Sequence, residues 1–321
     1  MMLNDDTVFK EALKENNLEK LKKVPKSDLH NHSLFGMRFK DFVKIAGKFP
    51  EPPSKIDSLK NLNQYIFNEL LPLIENSSIY ENLITATLKE AVSDGVKILQ
   101  TSIDMNSIRF FHNQNDFLHT IKRLKKKFQD KINFEPEIGI QKDMDEDKLE
   151  KYLIPLIDSS VFNSIDLYGD ESVTDLYRFK KYYIYAKEKG LTLKVHIGEF
   201  SPPEIVKKAV EILNPDVIQH GITIATDDYM IDMVKERGIR LNICPTSNVV
   251  LGAVKNYKSH PIKRLFHKGV KVTVNTDDLL IFDSSVSEEF LKLYKNNVLD
   301  ADELNEIRKI GLNNFSGELN E

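Results

Sequence analysis

Short apolar runs recur along this chain, each followed by more polar text with helical spacing. The runs are KSDLHNH (26–32), GVKILQTSI (95–103), INFEPEIGI (132–140), NSIDLYG (163–169), LTLKVHIGE (191–199), DVIQHG (216–221), GIRLNIC (238–244) and GVKVTVNTDD (269–278). Their length and apolar content fit buried strands. Several begin at a glycine that closes a Lys- or Glu-rich stretch, as in YAKEKGLTLKV, VKERGIRLNI and LFHKGVKVTV. A glycine there caps a helix and hands the chain to a strand. Ahead of the first run, Val8, Phe9, Leu13, Leu18 and Leu21 fall at roughly helical spacing, so residues 6–23 read as an amphipathic leader helix.

Strands alternating with helices predict an α/β protein with a parallel sheet, and eight strands are the number that closes into a (β/α)8 TIM barrel. An open doubly wound sheet shares the alternation. No strand is followed by GxGxxG or GxxxxGK(S/T), so the common phosphate cradles are absent. The expectation is one barrel domain over residues 1–321, with a leader helix in 1–25 and a helical insertion in 33–94. That insertion carries Pro50, Pro52 and Pro53 and then LNQYIFNELLPLI, and it is a candidate lid over the barrel mouth.

Composition narrows the classes. With 41% hydrophobic and 29% charged residues the chain has enough apolar content for a sizeable core. A single Cys excludes a disulfide scaffold, a Cys-based zinc site and an iron–sulfur cluster, and it fits a reducing compartment. A net charge of −4 argues against binding nucleic acid by phosphate neutralisation. No run approaches the ~18 apolar residues of a membrane span, and the N-terminal text is too charged for a signal peptide. A cytoplasmic protein with a small-molecule partner is expected, with neither nucleic acid nor membrane. Oligomeric state is not readable.

The chemistry is at the strand ends. His30-Asn31-His32 ends the first strand, His196 the fifth, His220 the sixth and Asp277-Asp278 the eighth. Alternation puts His30 and His32 on one side, and active sites of barrels are built at the C-terminal strand ends. Three imidazoles and a carboxylate make a zinc shell that leaves a position for water, whose pKa falls to roughly 7 on the metal. Glu199, three residues past His196, is placed for proton transfer. His220 is a candidate base behind the shell, or itself a ligand. His112, His119, His260 and His267 lie in helical or loop text and read as surface or packing residues.

These residues stand in motifs that resemble the adenosine deaminase family of the amidohydrolase superfamily. DLHNH, HIGE, QHG, CPTSN and TDD occur in the family's order, and DLYGDE (166–171) and HPIKRLFHKGVKVTVNTDD (260–278) are similar to its strand-4 and closing text. The resemblance runs from Lys26 to about Phe290. It implies one Zn2+ held by His30, His32, His196 and Asp277, with Glu199, His220 and Asp277 as the catalytic set. It also implies that Glu199 protonates purine N1, that His220 orients the hydroxide attacking C6, and that Asp278 contacts N7. Gly169 would offer its N–H to N3, and His32 is also placed on the substrate side. The implied reaction is hydrolytic deamination of an aminopurine nucleoside, adenosine to inosine and ammonia as the leading case. Nucleobase deaminases with a His/Cys/Cys zinc site need more than one Cys. Cys244 reads as a packed residue.

Three departures bear on the substrate. HNHSLFGM has no acid after His32, with Ser33 and Phe35 there instead and its Gly one place late; the family's adenosine-selective text is H-x-H-L-D-G. Leu279 replaces the usual Pro, and TSIDMNS replaces the usual Arg-bearing E-x-R-x-(S/T)-P. A site built to bond one hydroxyl discriminates by ~10⁴ or more, which an apolar one cannot do. The alternatives are therefore adenine, or a 5′- or N6-modified adenosine. From other classes, DLHNHS also resembles a metal-dependent phosphoesterase motif, and a non-catalytic purine-binding relative is the third reading. A dinuclear amidohydrolase would need a bridging Lys after strand 4, where DLYGDE has none.

Overall fold

Each of the eight apolar runs carries a strand. They are β1 (Lys26–Asp28), β2 (Val96–Asp104), β3 (Asn133–Gln141), β4 (Ser164–Tyr168), β5 (Thr192–Ile197), β6 (Val217–His220), β7 (Arg240–Ile243) and β8 (Val272–Val274). In the computed structural model, which describes residues 4–51 and 55–313, they form one parallel sheet in the order β1 to β8. Consecutive strands pair because each crossover is a helix that returns the chain to the same edge. The handover glycines act as expected. Gly190 and Gly238 sit at φ 80° and 67°, where other side chains are strained, and each is followed directly by buried strand text.

The seam between β8 and β1 is closed by residues just beyond both strands. Asp277 N donates to His30 O at 3.0 Å and His32 N to Asp277 O at 3.4 Å. The Asn31 amide reaches Thr276 Oγ1 at 2.9 Å, and Thr101 Oγ1 donates to Asn31 Oδ1 at 2.8 Å. The sheet therefore becomes a nearly closed barrel through the segments that carry the strand-end histidines and aspartates. Outside this seam lies the helix Ala301–Leu312, where the side chain of Ser27 occupies the space a Cβ on Gly311 would need.

Two expectations change. The leader is two helices, Asp5–Lys14 and Leu18–Lys22, because Asn16 turns left-handed (φ 54°) and Asn17 caps the second through Lys20 N at 3.0 Å. Within 33–94, the helix Ser77–Ser93 packs on β2, while Leu59–Tyr65 and the turns Ile66–Leu73 border the mouth. The helix widens into a π turn at Ile66–Leu70 just before Pro72, which has no N–H to return to the carbonyl four residues back. Pro52 and Pro53 lie outside the described residues. Among the described residues no helix is long and apolar enough to cross a membrane.

Candidate functional site

At the C-terminal ends of the strands three imidazoles face one carboxylate, and a fourth, His196, faces Asp166 beside them. Asp277 Oδ1 is 3.2 Å from His32 Nε2 and 3.5 Å from His30 Nε2, and Asp277 Oδ2 is 3.9 Å from His220 Nε2. The His30 ring centre is 4.7 Å from that of His196 and 4.6 Å from that of His220. Two triads have ligand-type atoms within 4.8 Å of one another, His30/His196/His220 and His32/Asp277/Asp278. A third combines His30 and Asp277 with Cys244, but burial pushes that thiol well above its ordinary range, so it stays protonated and packed.

The local backbone explains how short strands deliver these groups. His220 and Asp277 both take left-handed conformations, at φ 66° and 60°. Such residues persist only where surrounding structure fixes them, and they cluster at functional sites. Here the turn at Asp277 is fixed by its backbone bonds to His30 and His32. His30 Nδ1 lies 3.3 Å from the Asn242 carbonyl, which takes its proton and leaves Nε2 as a lone pair facing the cluster. That Nε2 is buried without a hydrogen-bond partner, as is Asp278 Oδ1. His196 Nε2 faces Asp166 Oδ2 at 3.0 Å.

The charges leave room for a cation. Asp166, Glu199, Asp277 and Asp278 are all buried at one mouth. The nearby Lys142 spends its ammonium on the His196 carbonyl at 2.8 Å. Burial lowers His196 to about 4 and His220 well below its ordinary value, so both imidazoles are neutral, the form that binds metal. Burial alone would raise Asp277, yet the neighbouring imidazoles hold it well below the ordinary carboxylate range. Neutral His196 and His220, an ionised Asp277 and the orphaned Nε2 of His30 fit a borderline divalent cation. Burial alone would lower His32, yet Asp278 and Asp277 raise it to about 10, and such a cation would displace that proton.

Beside this cluster sits Glu199. Burial pushes its carboxyl well above the ordinary range, the charge of Asp277 adds to this, and a bond from Asn248 opposes it. Burial and then Asp277 raise Asp278 to about 7, with His32 opposing. Glu199 therefore holds its proton as a hydrogen-bond donor, while Asp278 is about half protonated at pH 7.

A cavity of about 510 Å³ opens above the cluster and is bordered by Gly169, Glu199, Asp278, Phe35 and Tyr168. The residues that break the expected text have structural roles there. Phe35 takes a backbone bond from Leu280 N at 2.7 Å through its carbonyl. Gly36 approaches so closely that a Cβ would stand 2.5 Å from Thr87 Cγ2 and 2.6 Å from Asn31 Oδ1. Asp104 binds Tyr168 OH at 2.6 Å and Gln141 Nε2 at 2.8 Å, and the Tyr168 ring packs 5.5 Å from that of His32.

Of the site residues expected from the sequence, Gly169, Glu199 and Asp278 line this mouth with His32, His196, His220 and Asp277, while His30 is buried against the rings of His196 and His220, and several other residues join them. Glu171 accepts the N–H groups of Glu199, Phe200 and Ser201 at 2.9, 3.3 and 2.6 Å. Asn248 donates to Glu199 Oε1 at 2.6 Å and to His220 Nδ1 at 3.1 Å. Glu171 and Asn248 belong to the DLYGDE and CPTSN motifs, which was the available signal. His112, His119 and His267 are exposed and away from the mouth, as expected. His260 is buried and bonded to Asn248, so it is a packing residue with a polar partner in the site.

The fold and the site together define a barrel enzyme whose chemistry lies at the C-terminal mouth. The family model for adenosine deaminase matches residues 137–315. A Treponema pallidum protein described as a putative adenosine/adenine deaminase is 34% identical over 86% of this chain and 93% of its own. The chain belongs to the adenosine deaminase family and is a hydrolytic deaminase acting on C–N bonds. An adenine deaminase from Arthrobacter aurescens shares the fold at a TM-score of 0.81 and 22% identity, covering 92% of this chain and 94% of that one. An N6-mAMP deaminase from Arabidopsis does so at 0.81 and 18%, covering 93% and 95%. Family membership removes the phosphoesterase reading.

Proposed function

We propose that the protein is a zinc-dependent aminopurine deaminase with adenosine as its leading substrate. The observation that carries the reading is a buried, proton-bearing Glu199 set beside an imidazole–carboxylate cluster with an orphaned Nε2. His30, His32, His196 and Asp277 would hold the metal. When bound, zinc supplies a water acidified to roughly pKa 7 and so a nucleophile at neutral pH.

The chain's own groups do the rest. Glu199 gives its proton to ring N1 as C6 is attacked, which keeps negative charge off the purine. His220 orients the attacking water. Asp278, about half protonated at pH 7, donates to N7 in its protonated form, and Gly169 offers its N–H to N3. The C6–N bond then breaks, ammonia leaves with the proton it needs, and C6 keeps the water's oxygen. Residues 59–73, at the rim, act as the lid over the mouth.

The 5′ side follows from the residues after His32. Ser33 and Phe35 stand where an acid would meet a ribose hydroxyl, which favours tolerance of a larger or less polar 5′ group over strict adenosine selection. The test is an ammonia-release screen of the zinc-loaded protein over adenosine, 2′-deoxyadenosine, adenine, 5′-modified adenosines, AMP and N6-methylated analogues. Turnover of adenosine at or above the others supports the leading case. Turnover of adenine alone would move the substrate to the free base, and silence on all would overturn the function.

A further inference from the structure

Resting on that reading, Asn248 lies between the acid and the group that orients water, and which end of its amide faces them decides what each can do. The orientation follows from a chain of donors and acceptors that begins on the backbone. Ile262 N–H lies 3.1 Å from His260 Nδ1. A backbone amide can only donate, so Nδ1 accepts and the proton of the neutral ring sits on Nε2. That Nε2 lies 3.3 Å from Asn248, and since it donates, the facing amide atom is the oxygen Oδ1. The NH2 end is then turned to the site, with one hydrogen for Glu199 Oε1 at 2.6 Å and one for His220 Nδ1 at 3.1 Å. His220 Nδ1 is an acceptor as a result, because its distance of 3.7 Å from Glu199 Oε1 is too long for it to donate there.

We infer that His260 is a positioning residue: by holding the Asn248 amide in one orientation, it keeps His220 in the tautomer with its proton on Nε2 and directs the Glu199 proton to Oε2. His220 thereby acts on the attacking water as an N–H donor that aims it, rather than as an acceptor of its proton. Glu199 Oε1 is occupied by the amide, so its remaining oxygen presents the proton to the substrate. All four side chains are buried, with exposures of 0% for Asn248, 3% for His220 and His260 and 6% for Glu199, so no bulk water competes for these bonds. The origin of the relay, His260, is twelve residues from Asn248 in sequence.

The test uses the full-length, zinc-loaded protein with ¹⁵N-labelled histidine. His260→Phe keeps a ring without a donor, and His260→Gln restores an N–H that can reach the same oxygen. Long-range ¹⁵N–¹H spectra report the His220 tautomer, and kcat, KM and zinc content are measured on the same samples. The expected result is a wild-type His220 protonated on Nε2 alone and a mixture of tautomers in His260→Phe. In that variant kcat falls roughly 10- to 100-fold with zinc and KM little changed, the range seen for groups behind a site. His260→Gln recovers both the tautomer and much of kcat. A wild-type His220 protonated on Nδ1 overturns the inference, as does a His260→Phe protein with unchanged tautomer, whatever its kcat. Should His260→Phe not fold, the wild-type spectrum and His260→Gln decide on the same criteria. Failure of the deaminase reading would show separately, as a wild-type protein that releases no ammonia, while the tautomer populations still decide this inference.

Discussion

Glu171 Oε1 accepts the backbone N–H of Glu199 at 2.9 Å, so one carboxylate holds the main chain that carries the other. The same Glu171 side chain takes the N–H groups of Phe200 and Ser201, while Thr223 on the other side of this turn after β5 donates its N–H to the Gly198 carbonyl and its hydroxyl to the Ser201 carbonyl. Glu171→Ala leaves three donors without their acceptor, two of them on the buried Glu199 and Ser201 and one on the exposed Phe200, at about 1–3 kcal/mol for each that water does not reach. Thermal melts are expected to show lower stability, and kinetics a lower kcat through misplacement of Glu199. Wild-type values of both would contradict the account.

Glu199→Gln keeps the side-chain volume and the bond from Asn248 but has no acidic proton to give N1. The expected outcome is zinc content equal to wild type with kcat lower by ~10²–10⁴. Near-wild-type turnover would remove Glu199 from its role.

Asp277→Ala takes away the one carboxylate that all three neighbouring imidazoles face. Zinc affinity is expected to fall by more than ~100-fold, because changes behind the ligands already cost 10–100-fold. Metal analysis after dialysis reads this directly, and full occupancy would contradict Asp277 as a ligand.

Gly36→Ala is a test of packing. Three atoms, on Thr87 and Asn31, lie within 2.7 Å of the new Cβ, and the Asn31 amide is pinned to Thr276 and Thr101. Overpacking is expected to cost about 1–3 kcal/mol, read as a lower melting temperature. An unchanged melting temperature would show that the loop yields.

Asp28 gives a pH signature of the barrel seam. Burial raises its carboxyl from 3.8 to about 7, against opposing bonds from Thr276. The folded state therefore holds a proton that the unfolded chain releases near pH 4. Its contribution to stability is full below that pH and is lost as pH rises to about 7. Asp28→Asn should flatten this part of the stability–pH curve. An equal slope in both proteins would place the charge elsewhere.

Much of the barrel was legible because a buried parallel strand needs a short apolar run and a helix needs an end, and Gly190 and Gly238 mark such ends. The site was legible because His30, His196, His220 and Asp277 interrupt text that would otherwise be apolar. The break at Asn16 was hidden because the apolar spacing continues across it. The left-handed turns at His220 and Asp277 were hidden too, since neither residue type announces positive φ. Glu171 and His260 act through backbone groups and side chains that only the folded chain brings to them. The shift of Gly to position 36 was visible, but its cause, the approach of Thr87 from a helix fifty residues on, was not.

The most direct measurement is a zinc titration of metal-stripped protein with adenosine as substrate, following ammonia release. No turnover is expected without metal, with a rise to a plateau at one zinc per chain. Full turnover in the stripped protein, or none at any zinc level with adenosine or the other aminopurines, would contradict it.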